Sequence, residues 1–143
     1  MVTAQQVFDA AIHLMDEQSE TNGKTITTDT NEYRFRTISI LNTILPALYP
    51  YSDTCETTAG RRPECPALFA QNGYSEPDLE QVIPLDDGLA LGVLPYALAA
   101  HLLAAENEEL SMWLLARYNQ AFGEIRQFMP GSFEPIPAPY GLF

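Results

Sequence analysis

The chain predicts an all-α fold: a small helical bundle with a central antiparallel αα-hairpin, a long loop and an extended proline-rich C-terminal arm. Three observations predict it. Apolar residues recur at helical spacing in four separate stretches. Those stretches open on residues suited to cap helices. The one β-branched run, residues 24–28, is short. A length of 143 residues suits one domain with a core of its own. The expected division is a helical body over residues 1–129 and an arm over residues 130–143.

The first helix is expected to start at Thr3, which forms a capping-box pair with Gln6. Val7, Ala11 and Leu14, with Phe8, Ile12 and Met15 alongside, then make one broad apolar stripe. The stripe runs out in Asp16-Glu17-Gln18, and Asn22-Gly23 signals a turn. Lys24 to Thr28 reads as a strand fragment or as extended chain. A second helix is expected to open at Asp29, with Glu32 completing another capping box. Its stripe is Ile38, Leu41, Leu45 and Leu48, with Ile44 beside it. Pro46 should kink the helix near its end and Pro50 should stop it.

Residues 51–80 lack a clear period and are punctuated by Gly60, Pro63, Pro66, Asn72-Gly73 and Pro77. They read as a solvated loop, or as a projecting arm in which Arg61 and Arg62 meet an acidic surface on a neighbouring copy. Asp86 or Asp87 should cap the third helix, where a carboxylate meets unpaired N–H groups and the helix dipole. Gly92 and Pro95 leave two placements open: a bent helix from Leu89, or a regular one beginning at Pro95. From Tyr96 to Ala105 the sequence is apolar on nearly every side, which implies a central position.

Glu106 to Glu109 is too short and polar for anything but an elbow, so the fourth helix should fold back antiparallel with Asn107 as its cap. Its expected inner face is Leu110, Leu114, Tyr118, Ala121, Ile125 and Phe128, with Trp113 off that stripe. Four prolines between Pro130 and Phe143 forbid helix and favour a stiff extended arm. Phe133, Ile136, Tyr140, Leu142 and Phe143 make that arm apolar, so it needs a groove to dock in, on its own domain or on a partner.

Charge narrows the function. Acidic residues outnumber basic ones 19 to 7, for a formal net charge of −12, and Lys24 is the only lysine. Such a surface is repelled by phosphate backbones and by anionic membranes. It can keep the protein soluble, attract a basic partner, or line a passage through which DNA slides without sticking. The first twenty residues do not read as a signal peptide, and Leu89 to Ala105, the longest apolar run, is interrupted by Gly92, Pro95 and His101. Synthesis in a cytosol follows as the expectation, with Cys55 and Cys65 as free thiols. A zinc site would have to draw His13 and His101 from remote helices to those cysteines, a spacing that fits no finger or ribbon.

No nucleophile elbow, zincin helix or phosphate-cradling loop is present, and Gly88-Leu89-Ala90-Leu91-Gly92 has the wrong spacing for one. His101, set among Leu98, Leu102 and Leu103, reads as a core or interface residue; Ser111 and Cys55 lack a base nearby in sequence. No catalytic residue, cofactor or metal is expected.

The segment Pro84-Leu85-Asp86-Asp87, then Leu94-Pro95-Tyr96-Ala97-Leu98-Ala99-Ala100-His101-Leu102-Leu103, then Arg117-Tyr118, resembles the small head–tail connector (adaptor) proteins of long-tailed bacteriophages. The likeness covers mainly residues 3–20 and 82–129; the 51–80 segment is longer than that family's pattern. The resemblance implies a homo-oligomeric ring in the virion neck, contacting the portal protein and the tail or stopper proteins, with an acidic channel that passes DNA. Arg61, Arg62, Phe133, Ile136, Tyr140 and Phe143 would then be the partner-binding residues. Two other classes stay open: a DNA mimic that blocks a nucleic-acid enzyme, and an adaptor that docks one basic partner.

Overall fold

A computed structural model describes residues 1–17, 19–55, 63–69 and 77–127. Within them the chain is all-α. Its helices are α1 (Ala4–Met15), α2 (Asn31–Leu48), α3 (Asp87–Gly92), α4 (Leu94–Leu103) and α5 (Glu108–Arg126). The only β pairing among the described residues is an isolated bridge between Thr3 and Val82.

Helix α1 begins as its sequence dictates. The Thr3 hydroxyl accepts from the Gln6 N–H, and the Gln6 side chain accepts from the Thr3 N–H. Val7, Phe8, Ala11, Ile12 and Met15 are all buried. The helix ends at Asp16, whose φ of 58° is left-handed. There the Asp16 N–H bonds the His13 carbonyl and the Glu17 N–H bonds that of Ile12, which satisfies two terminal acceptors. The turn that follows needs Gly23, at φ 70°.

The start of α2 corrects the sequence reading. The flanking residue is Thr30, not Asp29, and no side chain caps the helix. The buried Thr30 hydroxyl closes the preceding turn instead, donating to the Thr25 carbonyl (2.7 Å) and accepting from the Thr27 N–H (2.9 Å). Glu32 reaches forward to Arg36 (3.5 Å) rather than back. Of the two readings of residues 24–28, the strand is not realised: the stretch is irregular chain with bends at Thr25 and Thr27, tied from behind by Thr30. The stripe of Ile38, Leu41, Ile44, Leu45 and Leu48 is buried as its spacing requires. The helix runs through Pro46 and ends at Leu48, just before Pro50 as expected. Pro50 lies inside a 3₁₀ turn over Tyr49–Tyr51, whose last carbonyl bond is Ser52 N–H to Tyr49.

The two placements left open for the third helix are both partly realised, because the segment breaks in two. Asp86 caps α3, accepting from the Leu89 N–H at 3.0 Å. Val93 then leaves helical geometry (φ −122°, ψ −49°), and α4 starts with Pro95 in its first turn. Proline has no N–H for a bond one turn back, so the break falls just before it. Helix α4 is the central element: α1, α2, α3 and α5 all pack on it. Leu94, Leu98 and Leu102 are fully enclosed.

Two polar contacts fasten the end of α4 and the start of α5. Arg36 donates to the Leu102 carbonyl (3.1 Å), supplying a cation to the negative end of α4. The Ser111 hydroxyl donates to the Ala100 carbonyl (2.7 Å). Asn107 caps α5 through the Leu110 N–H (3.1 Å). Along α5, Leu114 is fully buried, whereas Leu110, Tyr118, Ala121 and Ile125 are only half-buried. Phe128, expected on the same face, lies outside the described residues.

The described parts of the 51–80 segment are tied down rather than merely solvated. Asn42 clamps both backbone groups of Leu68, and Gln81 does the same for Phe69. Leu68 and Leu79 are buried. Asp86 accepts from the Asp53 N–H with its second oxygen (3.0 Å), so one carboxylate serves both a helix cap and the start of the loop.

Candidate interaction surfaces

The six residues singled out for partner binding, Arg61, Arg62, Phe133, Ile136, Tyr140 and Phe143, all lie outside the described residues. The surfaces that can be built from the described residues are different ones.

The first lies on the opening turns of α5. Met112, Trp113 and Leu115 are 64%, 56% and 45% exposed, beside the exposed Glu108 and Glu109. They are exposed because Leu110, Ser111 and Leu114 are the residues of these turns that face α4. Trp113 was legible in the sequence as lying off the inner stripe; Met112 and Leu115 were not.

The second is a shallow cavity of about 370 Å³ lined by Asp9, His13, Gly23, Lys24, Thr25 and Ile26. The Asn22-Gly23 turn builds it. The Asn22 side chain accepts from the Lys24 N–H (3.0 Å), and Ser19 and Lys24 pair across the turn. The Asp9 carboxylate is engaged internally, accepting from Gln5 (2.7 Å) and from the Thr25 hydroxyl (2.5 Å). Lys24 and His13 are exposed, and Ile26 is 44% exposed. The sequence marks no site at these residues; Lys24, the one lysine, and His13, one of two histidines, stand eleven residues apart.

The third is an aromatic platform at the far end of α5. Tyr51 meets Phe122 edge-on (5.2 Å between centroids) and Tyr118 stacks on Phe122 (6.0 Å). The Arg126 guanidinium lies over both Tyr51 (5.4 Å) and Phe122 (5.5 Å). Burial pushes the Tyr118 hydroxyl pKa above its usual range. A fourth feature is acidic: Asp16, Glu17, Glu20 and Asp29 line one cavity of about 420 Å³ with Ser19 and Thr27.

The remaining residues with chemically capable side chains are placed as follows. His101 is exposed on α4 rather than enclosed among its flanking leucines. The Ser111 proton is committed to Ala100, and the Asp86 carboxylate to the cap and the loop. Cys55 and Cys65 are free thiols packed half-buried against the core. Burial, and then the neighbouring Cys55, raise the Cys65 thiol above its ordinary range, which lowers its reactivity. Among the described residues no three His, Cys, Asp or Glu side chains gather to hold a metal ion, and no helix is long and apolar enough to cross a membrane.

No protein-family model, curated protein or solved structure matches the chain.

Proposed function

We propose that the chain is a structural subunit of a tailed-bacteriophage neck, forming a ring between portal and tail through which DNA passes. The observation that carries this reading is the segment from Pro84 to Tyr118, where the resemblance to head–tail connector proteins is concentrated. It comprises the lead-in ending on the Asp86 cap, the enclosed α4, and α5 packed along α4. We take α4 and α5 as the antiparallel hairpin of that pattern. Residues 51–80 are its long loop and residues 130–143 its docking arm, reaching the portal above or the tail and stopper proteins below. The net charge of −12 suits a channel wall that must not hold DNA. On this reading the protein acts by assembly in the virion neck, without cofactor or catalysis.

Native mass spectrometry across a concentration series tests the proposal. A closed oligomer of many copies is the expected result. A strict monomer that also fails to assemble on a portal ring would overturn it. Deleting residues 130–143 should leave the helical signal intact and abolish assembly.

One observation favours a second reading, an acidic module or DNA mimic docking a basic partner. Four carboxylates, on Asp16, Glu17, Glu20 and Asp29, share one cavity. One-to-one inhibition of a DNA-binding enzyme, lost on neutralising these four, would support that reading over the ring.

A further inference from the structure

We infer that two unlike surfaces of this chain mate between copies: the start of α5 on one copy seats against the Lys24–His13–Ile26 cavity on the next. The inference rests on the ring reading and names the contact that would build it.

A chain of net charge −12 repels its own copies, so a contact that sets a cation against carboxylates at close range is favoured over one that does not. The cations of the described residues are mostly engaged already. Arg36 holds Leu102 and Glu32, Arg117 holds Gln120 (2.8 Å) and covers Tyr96, and Arg126 covers the aromatic platform. Arg34 lies over Phe35. The Lys24 ammonium has no ion-pair or hydrogen-bond partner among the described residues, and the His13 side chain beside it has none there either. Their cavity is walled on one side by the exposed Ile26.

The start of α5 is the complement in both charge and polarity. Glu108 and Glu109 are exposed, and Met112 and Trp113 follow one turn later on the outward side of the same helix. Carboxylates placed one turn from large apolar side chains match an ammonium placed beside an isoleucine. Helices α1 and α5 both pack chiefly on α4, and the start of α5 is fixed by Asn107 and by the Ser111 bond to Ala100. Two different patches that mate between copies make a head-to-tail contact, the kind that closes into a ring when its rotation allows.

Reciprocal charge reversal tests the contact, with Trp113, the only tryptophan, as its reporter. In the wild-type chain the closed oligomer should form with a blue shift of tryptophan emission as concentration rises. Lys24→Glu alone and Glu108→Lys/Glu109→Lys alone should each weaken association at least tenfold; far-ultraviolet dichroism confirms that the helices persist, and Glu108→Gln/Glu109→Gln controls for the lost favourable charge at the positive end of α5. An equimolar mixture of the two variants should regain the oligomer, since each reversed patch then meets its opposite. A wild-type oligomer that both variants leave intact would overturn the contact while leaving the ring standing. So would a mixture that fails to reassociate. A wild-type chain that stays monomeric, alone and with a portal ring, with unshifted emission, would overturn both.

Discussion

Helices α4 and α5 are neighbours in sequence and in space, yet they meet water very differently. Eight of the ten residues of α4 are buried, whereas Leu114 is the one fully buried residue among the nineteen of α5. Helix α4 is flanked by α1, α2, α3 and α5, and His101 is its one exposed residue. Helix α5 has α4 and α3 beneath it and keeps large apolar side chains on its outer surface. The contrast teaches that one of these helices holds the fold together while the other presents it. Substitutions should therefore sort by helix.

The largest effect belongs to the centre. Leu98→Ala in α4 should cost about 2–5 kcal/mol, read as a lower urea midpoint at unchanged slope. Leu114→Ala should fall in the same range, because Leu114 is also fully enclosed. Ile125→Ala, half-buried on the same helix, should cost only on the order of 1 kcal/mol. Equal losses at Leu114 and Ile125 would mean that α5 is more covered than these contacts imply.

Asp86→Ala comes next. It removes the α3 cap and the tie to Asp53, for about 1–2 kcal/mol of thermal stability.

Tyr33→Phe should cost about 1 kcal/mol, since the Tyr33 hydroxyl donates to Glu106 in the elbow between α4 and α5. Its pH dependence has a definite sign. Burial, then the hydrogen bond to Glu106 and its negative charge, raise the Tyr33 pKa above the ordinary value of about 10. The folded state therefore keeps a proton that the unfolded chain releases. Its contribution is complete below about pH 10 and is lost as pH climbs from there toward the raised folded value. The phenylalanine variant should show a shallower alkaline loss of stability in urea titrations above pH 10. Part of the slope should remain, because Tyr118 is shifted in the same direction.

The smallest effect is expected at the presenting surface. Trp113→Ala should change stability by no more than about 0.5 kcal/mol in chemical denaturation. If α5 serves as a contact, the same substitution should weaken self-association in sedimentation velocity. A large loss of fold stability would instead place Trp113 in the core.

What was legible in the sequence was mostly local. Thr3 with Gln6 and Asn107 with Leu110 each close over three residues, so spacing alone locates them, while for α3 it left Asp86 and Asp87 as alternatives that the bond to Leu89 decides. The stripes of α1 and α2 were legible for the same reason. The cap at Asp29 was misread because its pattern competes with a turn closed by the Thr30 hydroxyl five residues back. The anchoring of Leu68 by Asn42, 26 residues away, and of Phe69 by Gln81, 12 residues away, leaves no periodic trace, so the 51–80 segment read only as loop. The Lys24–His13 cavity was illegible as well, because α1 and the turn after it contribute single residues to a shared wall.

By itself, then, the sequence determined the all-α class and the caps of α1 and α5, and it narrowed the α3 cap to Asp86 or Asp87, because these depend on hydrogen bonds and sterics within about one helical turn. Only the tertiary structure decided that His101 faces solvent despite its leucine neighbours, that most of α5 lies outside the core, and that Met112 and Trp113 stand exposed beside two carboxylates. Burial is set by what distant parts of the chain bring alongside, and a helical stripe records only which residues share a face, not whether anything covers it.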